Sequence, residues 1–214
     1  MTDLLLHIGN KNYSSWSFRP WIAMRHAGIP FRESTIWLDE PQARANKLAH
    51  SPAGRVPILQ DGPLTVWDSL AIVEYVAEKF PDRGLLPRDP ARRARVRSLC
   101  AEMHSGFTGL RGHFPMNCRR TTPRSTPMPT AVREDLARIA QIFAESNGGF
   151  LVDGFTLADA FFAPVVSRIR SYGILLDDPR AQAYAARIAA LPAYREWHEA
   201  AAREERSLPY DTLA

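Results

Sequence analysis

The stretch Asn12–Arg25 reads NYSSWSFRPWIAMR, and the rest of the chain is organised around it. A short apolar run, Leu4–Ile8, precedes it after a Gly9-Asn10 break, and a helical pattern follows as far as Gly28. This order predicts a strand, a loop and a helix, with three serines where the loop meets the helix. A helix start presents unpaired backbone N–H groups and the positive end of the helix dipole, so it favours an anion such as a thiolate.

The first eighty residues are predicted to alternate between strands and helices. The predicted strands are Leu4–Ile8, Phe31–Trp37, Val56–Leu59 and Leu64–Trp67, and the predicted helices are Ser17–His26, Pro41–Leu48 and one capped by Asp68-Ser69. Pro20 is expected in the first helical turn, where a missing N–H does least harm. Two strands joined by a helix form a parallel pair, and Asp61-Gly62 is a hairpin signal. The order predicts a four-stranded mixed sheet with helices on its faces.

The remainder of the chain is predicted to be all helical. Pro81–Pro90 contains three prolines and a glycine and is predicted to be a linker. The predicted helices are Ala91–His113, Ala131–Ser146 stopped by Asn147-Gly148-Gly149, one starting at Thr156, Pro179–Leu191 and Pro192–Arg203, with a loop at Thr121–Pro129. Thr156 and Asp159 have capping-box spacing, and the apolar run after them predicts a buried central helix. The predicted class is therefore an α/β domain at 1–80, a linker at 81–90 and an all-α domain at 91–214.

Composition is that of an ordinary soluble globular protein. The 214 residues are 45% hydrophobic and 23% charged, and no apolar run approaches the roughly 20 residues of a bilayer span. The N-terminus has no basic n-region and no cleavage-like segment, so a cytoplasmic location without a membrane partner is expected. Cys100 and Cys118 stand in no metal or redox spacing, and none of the six histidines forms an i,i+4 pair. No disulfide framework and no metal site are predicted.

The net charge of +4 is mild, and no nucleic-acid partner is expected. Two arginine clusters occur: Arg92, Arg93, Arg95 and Arg97, and then Arg111, Arg119 and Arg120. A solvated helix face is favoured over a phosphate-binding patch for these side chains. The sharper alternative for the second cluster is a pocket wall that attracts an acidic substrate.

Four motifs, in family-like order and spacing, resemble the cytosolic glutathione transferases. They are the serine-rich helix start SSWSFRPWIAM at 14–24, Arg55-Val56-Pro57, Asp68-Ser69-Leu70-Ala71-Ile72 and the Thr156–Asp159 capping box. The first is similar to the helix start of the serine-type zeta, theta and phi-like classes. The resemblance covers essentially the whole chain, and it implies a thioredoxin-like first domain followed by an all-helical second domain.

The resemblance implies that Ser14 donates a hydrogen bond to the glutathione sulfur. Ser15 and Ser17 are close rivals, and three serines that merely cap the helix are the alternative. Tyr13 is a further candidate, because a phenol can also donate to sulfur. Stabilising the thiolate by about 1.4–3 kcal/mol lowers a thiol pKa of about 8.5 by roughly one to two units. One hydroxyl donor and a helix start can supply that much.

The resemblance also implies a cis peptide bond at Pro57, with the Val56 backbone pairing with the cysteinyl unit of glutathione like an added strand. A trans proline that opens an edge strand is the alternative. The Ser69 hydroxyl suits the γ-glutamyl carboxylate and Asp68 suits the ammonium group, unless both only cap the helix.

The carboxylate of the glycyl unit has two candidate partners, Lys47 and Arg55, and the sequence leaves both open. The acceptor pocket is expected along the first helix of the second domain. Its candidate apolar residues are Met103, Phe107, Leu110 and Phe114, and its candidate polar residues are His104, Arg111, Asn117 and Arg120. Simple core packing is an equal alternative for Met103 and Leu110. Any of the polar group could orient a carbonyl or carboxylate.

The sequence is interpreted as a glutathione transferase whose thiolate attacks an electrophilic small molecule. Glutathione is the expected cosubstrate, with no metal or other organic cofactor, and the resemblance implies a two-fold homodimer. The first alternative is a glutathione-dependent isomerase of the zeta, maleylacetoacetate isomerase type, although Trp16 stands where that class has a cysteine. The second alternative is a non-catalytic binding protein with the same fold.

Overall fold

A computed structural model describes residues 3–146 and 149–212 of the chain. The predicted helix stop at Asn147-Gly148 and the outer limits of the two predicted domains, residues 1 and 214, lie outside these ranges. The described elements follow the predicted order, with an α/β region first and helices after it. The predicted fold class is therefore confirmed.

The α/β region is built on one four-stranded mixed sheet, in the order β2-β1-β3-β4. Its strands are β1 Leu4–Ile8, β2 Arg32–Thr35, β3 Ile58–Asp61 and β4 Leu64–Trp67. β1 pairs parallel with β2 and antiparallel with β3, and β3 and β4 form the predicted hairpin. Leu6 of β1 lies opposite Leu59 of β3, and both side chains are buried. The sheet therefore presents an apolar face against which helices pack.

Three helices accompany the sheet: α1 Ser15–His26, α2 Ala43–His50 and α3 Ser69–Lys79. α1 begins two residues earlier than predicted, because Ser14 is its N-cap. Pro20 consequently falls inside the helix rather than in its first turn, and that prediction was wrong. Asp68 caps α3 as predicted, with its carboxylate accepting from the Leu70 amide at 2.8 Å.

The helical region starts at Pro90, after a 3-10 turn at Pro81–Arg83. Its helices are α4 Pro90–Ser105, α5 Thr108–His113, α6 Thr130–Glu145, α7 Leu157–Ser171, α8 Pro179–Ala190 and α9 Pro192–Ala202, and a 3-10 turn follows at Pro209–Thr212. The single helix predicted at 91–113 is broken in two. Phe107 has a φ of 54°, and a Cβ at Gly106 would lie 2.7 Å from the Glu102 carbonyl, so the chain turns sharply there.

α7 is the central buried helix that its apolar run predicts. It packs against α1, α4 and α8, and all but one of its residues are buried. Thr156 and Asp159 form the predicted capping box at its start. Because α7 lies against α1, it brings the helical region up to the serine-rich helix start.

Candidate functional site

The serine-rich loop is held in place by its own backbone and by β1. The amides of Tyr13 and Ser14 donate to the Asn10 carbonyl at 3.1 and 2.8 Å. Gly9 follows directly after β1, and a Cβ there would lie 3.2 Å from the Ser14 Cβ and 3.0 Å from the Leu38 side chain. A residue without a side chain therefore lets the loop approach the end of the strand closely.

The three serine hydroxyls of this loop have different partners. Ser17 Oγ accepts from the Gly9 amide at 3.1 Å and lies 2.7 Å from Ser14 Oγ, and either hydroxyl can donate in that pair. Ser14 Oγ also caps the helix by accepting from the Ser17 amide at 3.4 Å. Ser15 Oγ instead accepts from Nη2 of Arg168 at 3.3 Å. Ser17 therefore binds the backbone just after β1, while Ser14 and Ser15 line a cleft.

This cleft has a volume of about 820 Å³ and runs between the α/β and helical regions. The α/β region lines it with Tyr13, Ser14, Ser15, Trp16, Leu38, Lys47, Arg55 and Val56, and the helical region with Thr108, Arg111, Gly112, Pro115, Met116, Arg168, Leu208 and Pro209. The described lining includes four cationic side chains and no carboxylate. A cleft lined by one sign of charge focuses the field and attracts anions.

Two guanidinium groups lie against Trp16, and a third lies close to them. Those of Arg19 and Arg111 lie over its ring at 4.3 and 4.7 Å from the centroid, and Arg168 is close enough to influence both electrostatically. Burial, followed by repulsion from neighbouring arginines, lowers the pKa of Arg19 to about 9 and that of Arg168 to about 10. Both stay protonated at neutral pH. Two nitrogens of Arg19, Nε and Nη1, have no hydrogen-bond partner in the described part of the chain.

The start of α3 carries a second polar feature. Asp68 has φ 73° and ψ 133°, a backbone conformation that L residues rarely adopt. Its Oδ2 lies 3.5 Å from Nε2 of His104, whose pKa is lowered by burial and by the nearby arginines in spite of this carboxylate. Ser69 is only 1% exposed, and its hydroxyl lacks a hydrogen-bond partner among residues 3–146 and 149–212. Buried hydroxyls usually have a hydrogen-bond partner, so this one is a candidate for a ligand or water contact.

Tyr13 is bound to the C-terminal tail. Its hydroxyl donates to Asp211 and accepts from Nη2 of Arg119 at 2.8 Å and from the Leu208 amide at 3.2 Å. Burial and the Asp211 carboxylate raise the pKa of Tyr13, so the phenol stays protonated. Donation to a sulfur in the cleft would require release of the bond to Asp211. Asn117 also donates to Asp211, at 2.7 Å.

The structure brings seven of the predicted site residues to the cleft. Tyr13, Ser14, Ser15, Lys47, Arg55, Val56 and Arg111 line it, whereas Pro57, Asp68, Ser69, His104, Phe107, Phe114 and Asn117 do not. The Val56–Pro57 peptide bond is cis, as the resemblance implied. Phe107 and Phe114 are buried in the hydrophobic core and do not line this cleft. Their helical spacing reflects packing inside the helical region instead.

The second arginine cluster divides among three places. Arg111 lines the cleft, Arg119 binds the tail, and Arg120 lines a separate groove next to α8 and α9. The first cluster lies on the exposed face of α4, where Arg97 pairs with Glu74 at 2.8 Å. These positions agree with the interpretation of the first cluster as a solvated helix face. Of the second cluster, Arg111 lines the cleft.

Three residues of the cleft lining, from two parts of the chain, escaped the sequence reasoning. Arg168 lies 153 residues from Ser15 in the sequence, and its only local signal is an arginine at a buried position of an apolar helix. Leu208 and Pro209 belong to a tail without a recognisable pattern. No group of His, Cys, Asp and Glu side chains suited to a metal occurs in the described ranges. Nor is any helix within them long and apolar enough to cross a membrane.

Comparison with protein families identifies two matches. Residues 13–79 match the family model for the glutathione S-transferase N-terminal domain, and residues 122–200 match that for the glutathione S-transferase C-terminal domain. Together they span more than half of the chain, and they correspond to its α/β and helical regions.

Individual relatives agree with these matches. A maleylacetoacetate isomerase from Pseudomonas aeruginosa is 31% identical over 198 residues, covering 87% of this chain and 92% of that protein. Glutathione S-transferase 1 from Dianthus caryophyllus is 38% identical over 168 residues, covering 75% and 76%. A glutathione transferase homologue from Burkholderia, solved with bound glutathione, is 23% identical, covers 93% of this chain and 98% of its own, and superposes with a TM-score of 0.70.

Proposed function

The chain belongs to the glutathione S-transferase family, and on that premise we propose that it binds glutathione in the cleft and activates its thiol. The thiolate then attacks an electrophilic small molecule bound beside it. The observation that carries the proposal is the pair of hydroxyls, Ser14 and Ser15, that line a cationic cleft at the start of α1. Family alignment favours Ser14 as the residue that donates to the sulfur. Helix dipole, hydroxyl and arginines all stabilise a negative sulfur there.

The cleft suits the remaining parts of glutathione. Lys47 and Arg55 line it and can bind the glycyl carboxylate, and the Val56 backbone is available to the cysteinyl unit. The γ-glutamyl group is assigned to the start of α3, which lies outside the lining of the cleft itself. Its carboxylate would satisfy the Ser69 hydroxyl, and Asp68 would receive the ammonium group.

The electrophile is assigned to the side of the cleft formed by Trp16 and α5. Arg111 is half-buried there and donates to the carbonyls of His104 and Gly106 through Nη1 alone, at 3.3 and 3.0 Å. Its remaining face supplies positive charge to a carbonyl or carboxylate oxygen of the substrate.

The test is a titration of the thiolate ultraviolet band of bound glutathione against pH. In the wild type, the bound thiol pKa is expected one to two units below the free value of about 8.5. Ser14→Ala and Ser15→Ala identify which hydroxyl contributes, and the exposed Ser98→Ala on α4 is the matched control. A wild-type protein that binds glutathione with an unshifted thiol pKa would contradict the proposal.

A second candidate function is glutathione-dependent isomerisation of an acidic diketo compound. Two observations favour it: the Pseudomonas aeruginosa relative is named a maleylacetoacetate isomerase, and the cleft is lined by four cations. An isomerase turns over a cis-dienoic diketo acid while the glutathione concentration stays constant. Consumption of one glutathione per product would instead indicate transfer.

The proposal extends to a cytoplasmic two-fold homodimer that acts on reactive, potentially harmful electrophiles. The edge strand β4 exposes Leu64 and Trp67, at 44% and 45%, and offers them as one candidate contact surface. Sedimentation equilibrium is expected to give about twice the chain mass of 24.0 kDa. A single-chain mass at micromolar concentration would contradict the dimer and leave the thiol chemistry unaffected.

A further inference from the structure

Arg168 lines the cleft, and the proposed function so far assigns it no part. It is 4% exposed and lies on α7. Its Nε donates to the Phe114 carbonyl at 2.8 Å, its Nη1 to the Pro164 carbonyl at 3.0 Å and its Nη2 to the Ser15 hydroxyl at 3.3 Å. All three acceptors are uncharged oxygens, so these bonds orient the guanidinium without neutralising it. A full positive charge is therefore held one hydrogen bond away from Ser15.

This contact engages the Ser15 hydroxyl as an acceptor and leaves its own proton for another partner. Because Ser15 Oγ accepts from Arg168, its own proton must be directed elsewhere, and Ser15 lines the cleft. The Ser14 proton is in a different situation, since Ser17 Oγ lies only 2.7 Å away and competes for it. A hydroxyl that accepts from a cation is polarised and becomes a stronger donor in turn.

We propose that Arg168 is a positioning residue, which holds the Ser15 hydroxyl with its proton toward the cleft and makes Ser15 a stronger donor to the glutathione sulfur than Ser14. The inference rests on the proposed function, because it requires a thiolate at the start of α1. It assigns the serine by geometry, where family alignment favours Ser14. It also gives α7, a helix of the second region, a direct part in thiol activation.

Other charged and titratable groups surround this pair and contribute to the same field. They are Arg19 on α1, Lys47 on α2, His104 on α4, Arg111 on α5, Asp68 at the start of α3, and Tyr13 and Arg55 on loops that line the cleft. Since they remain in place in every variant below, differences between variants report on the substituted residues.

The experiment is a double-mutant cycle on the thiol pKa of bound glutathione, read from the thiolate ultraviolet band. Ser15→Ala and Arg168→Met are each expected to raise that pKa by about one unit, a tenfold change in the ionisation constant. Arg168→Met in the Ser15→Ala background is expected to add less than half of its effect alone, because its main route is through the hydroxyl. Ser14→Ala is expected to have the smaller effect of the two serine variants.

The matched control is Arg170→Met, which removes an exposed cation two residues away on the same helix, facing a different groove. It is expected to leave the thiol pKa unchanged. Equal effects of Arg168→Met in the presence and absence of the Ser15 hydroxyl would overturn the inference, and so would a larger effect of Ser14→Ala than of Ser15→Ala.

Arg168→Lys covers the case in which Arg168→Met does not fold. Lysine keeps the charge, so the thiol pKa is expected between the wild-type and Ser15→Ala values; a value above that of Ser15→Ala would contradict the inference. An unshifted thiol pKa in the wild type itself would overturn the proposed function. A shifted wild type with insensitive Arg168 variants would overturn only the role of Arg168.

Discussion

The starts of α7 and α3 each carry one hydroxyl residue and one aspartate, but the buried polar side chains at the two starts differ in how many hydrogen bonds they make. At α7, the fully buried Asp159 accepts from the amides of Leu151 and Thr156 at 3.0 and 2.8 Å, and from the hydroxyls of Thr156 and Tyr184 at 3.0 and 3.2 Å. At α3, the equally buried Ser69 hydroxyl has no partner in the described chain. We call the start of α7 closed, because its buried carboxylate is fully hydrogen-bonded. We call the start of α3 open, because its buried hydroxyl has no partner among the described residues.

The difference supports a structural role for the start of α7 and the proposed ligand role for the start of α3. A buried hydroxyl without a partner costs about 1–3 kcal/mol, and a ligand atom that accepts from it would recover that cost. The hydrogen bonds of Asp159 serve folding, because they join α7 to the preceding loop and to α8. Hydrogen-bond satisfaction, rather than residue type, therefore distinguishes the two. Three predictions test this contrast.

The largest effect is expected for Asp159→Ala. It removes the acceptor of four hydrogen bonds inside the core, and we expect the free energy of unfolding to fall by about 3 kcal/mol or more. Urea denaturation measures the change. Asp89→Ala, which removes the exposed N-cap of α4, is the matched control and is expected to lower it by about 1 kcal/mol. Equal losses in the two variants would show that the α7 network is no more than an ordinary cap.

The opposite pattern is expected for Ser69→Ala. The hydroxyl has no partner to lose, so the free energy of unfolding should stay the same or rise slightly. Glutathione affinity should fall about tenfold, which corresponds to about 1.4 kcal/mol, because the γ-glutamyl carboxylate loses a donor. Calorimetric titration with glutathione measures it, with Ser98→Ala as control. Lost stability with unchanged affinity would make α3 another closed start and remove it from the proposed site.

The smallest effect concerns acidification. Burial raises the pKa of Asp159 to about 6, although four hydrogen bonds oppose the shift. Between this value and the unfolded value of about 3.9, the folded state binds the extra proton, so protonation favours folding as the pH falls. From pH 7 to pH 5, the wild type should therefore gain about 1 kcal/mol relative to the non-titrating Asp159→Asn.

Denaturation of the two proteins at both pH values measures this difference, and effects of other titrating groups cancel in it. A relative loss of wild-type stability on acidification would mean that the hydrogen bonds and the helix dipole outweigh burial at α7. The closed start would then prefer a carboxylate to a carboxylic acid.

Much of the fold could be predicted from the sequence because its signals are local. The Leu4–Ile8 run, the Asp61-Gly62 turn and the Thr156–Asp159 spacing each act within a few residues. The sequence analysis missed the break at Gly106, because the apolar spacing of the helix continues through Phe107. Only the structure shows the positive φ at that residue. The same helical pattern suggested Phe107 and Phe114 as pocket residues, since a periodic apolar face does not show whether it meets a core or a cleft.

The sequence by itself determined the order of elements, the serine-rich helix start and the cationic candidates Lys47, Arg55 and Arg111. Only the tertiary structure decided which serine hydroxyl is held by Arg168, that Tyr13 is bound by the C-terminal tail, and that the Ser69 hydroxyl lacks a partner. The physical reason is distance along the chain. Propensity and periodicity report on neighbours in sequence, whereas hydrogen-bond satisfaction and electric field depend on groups that folding alone brings together.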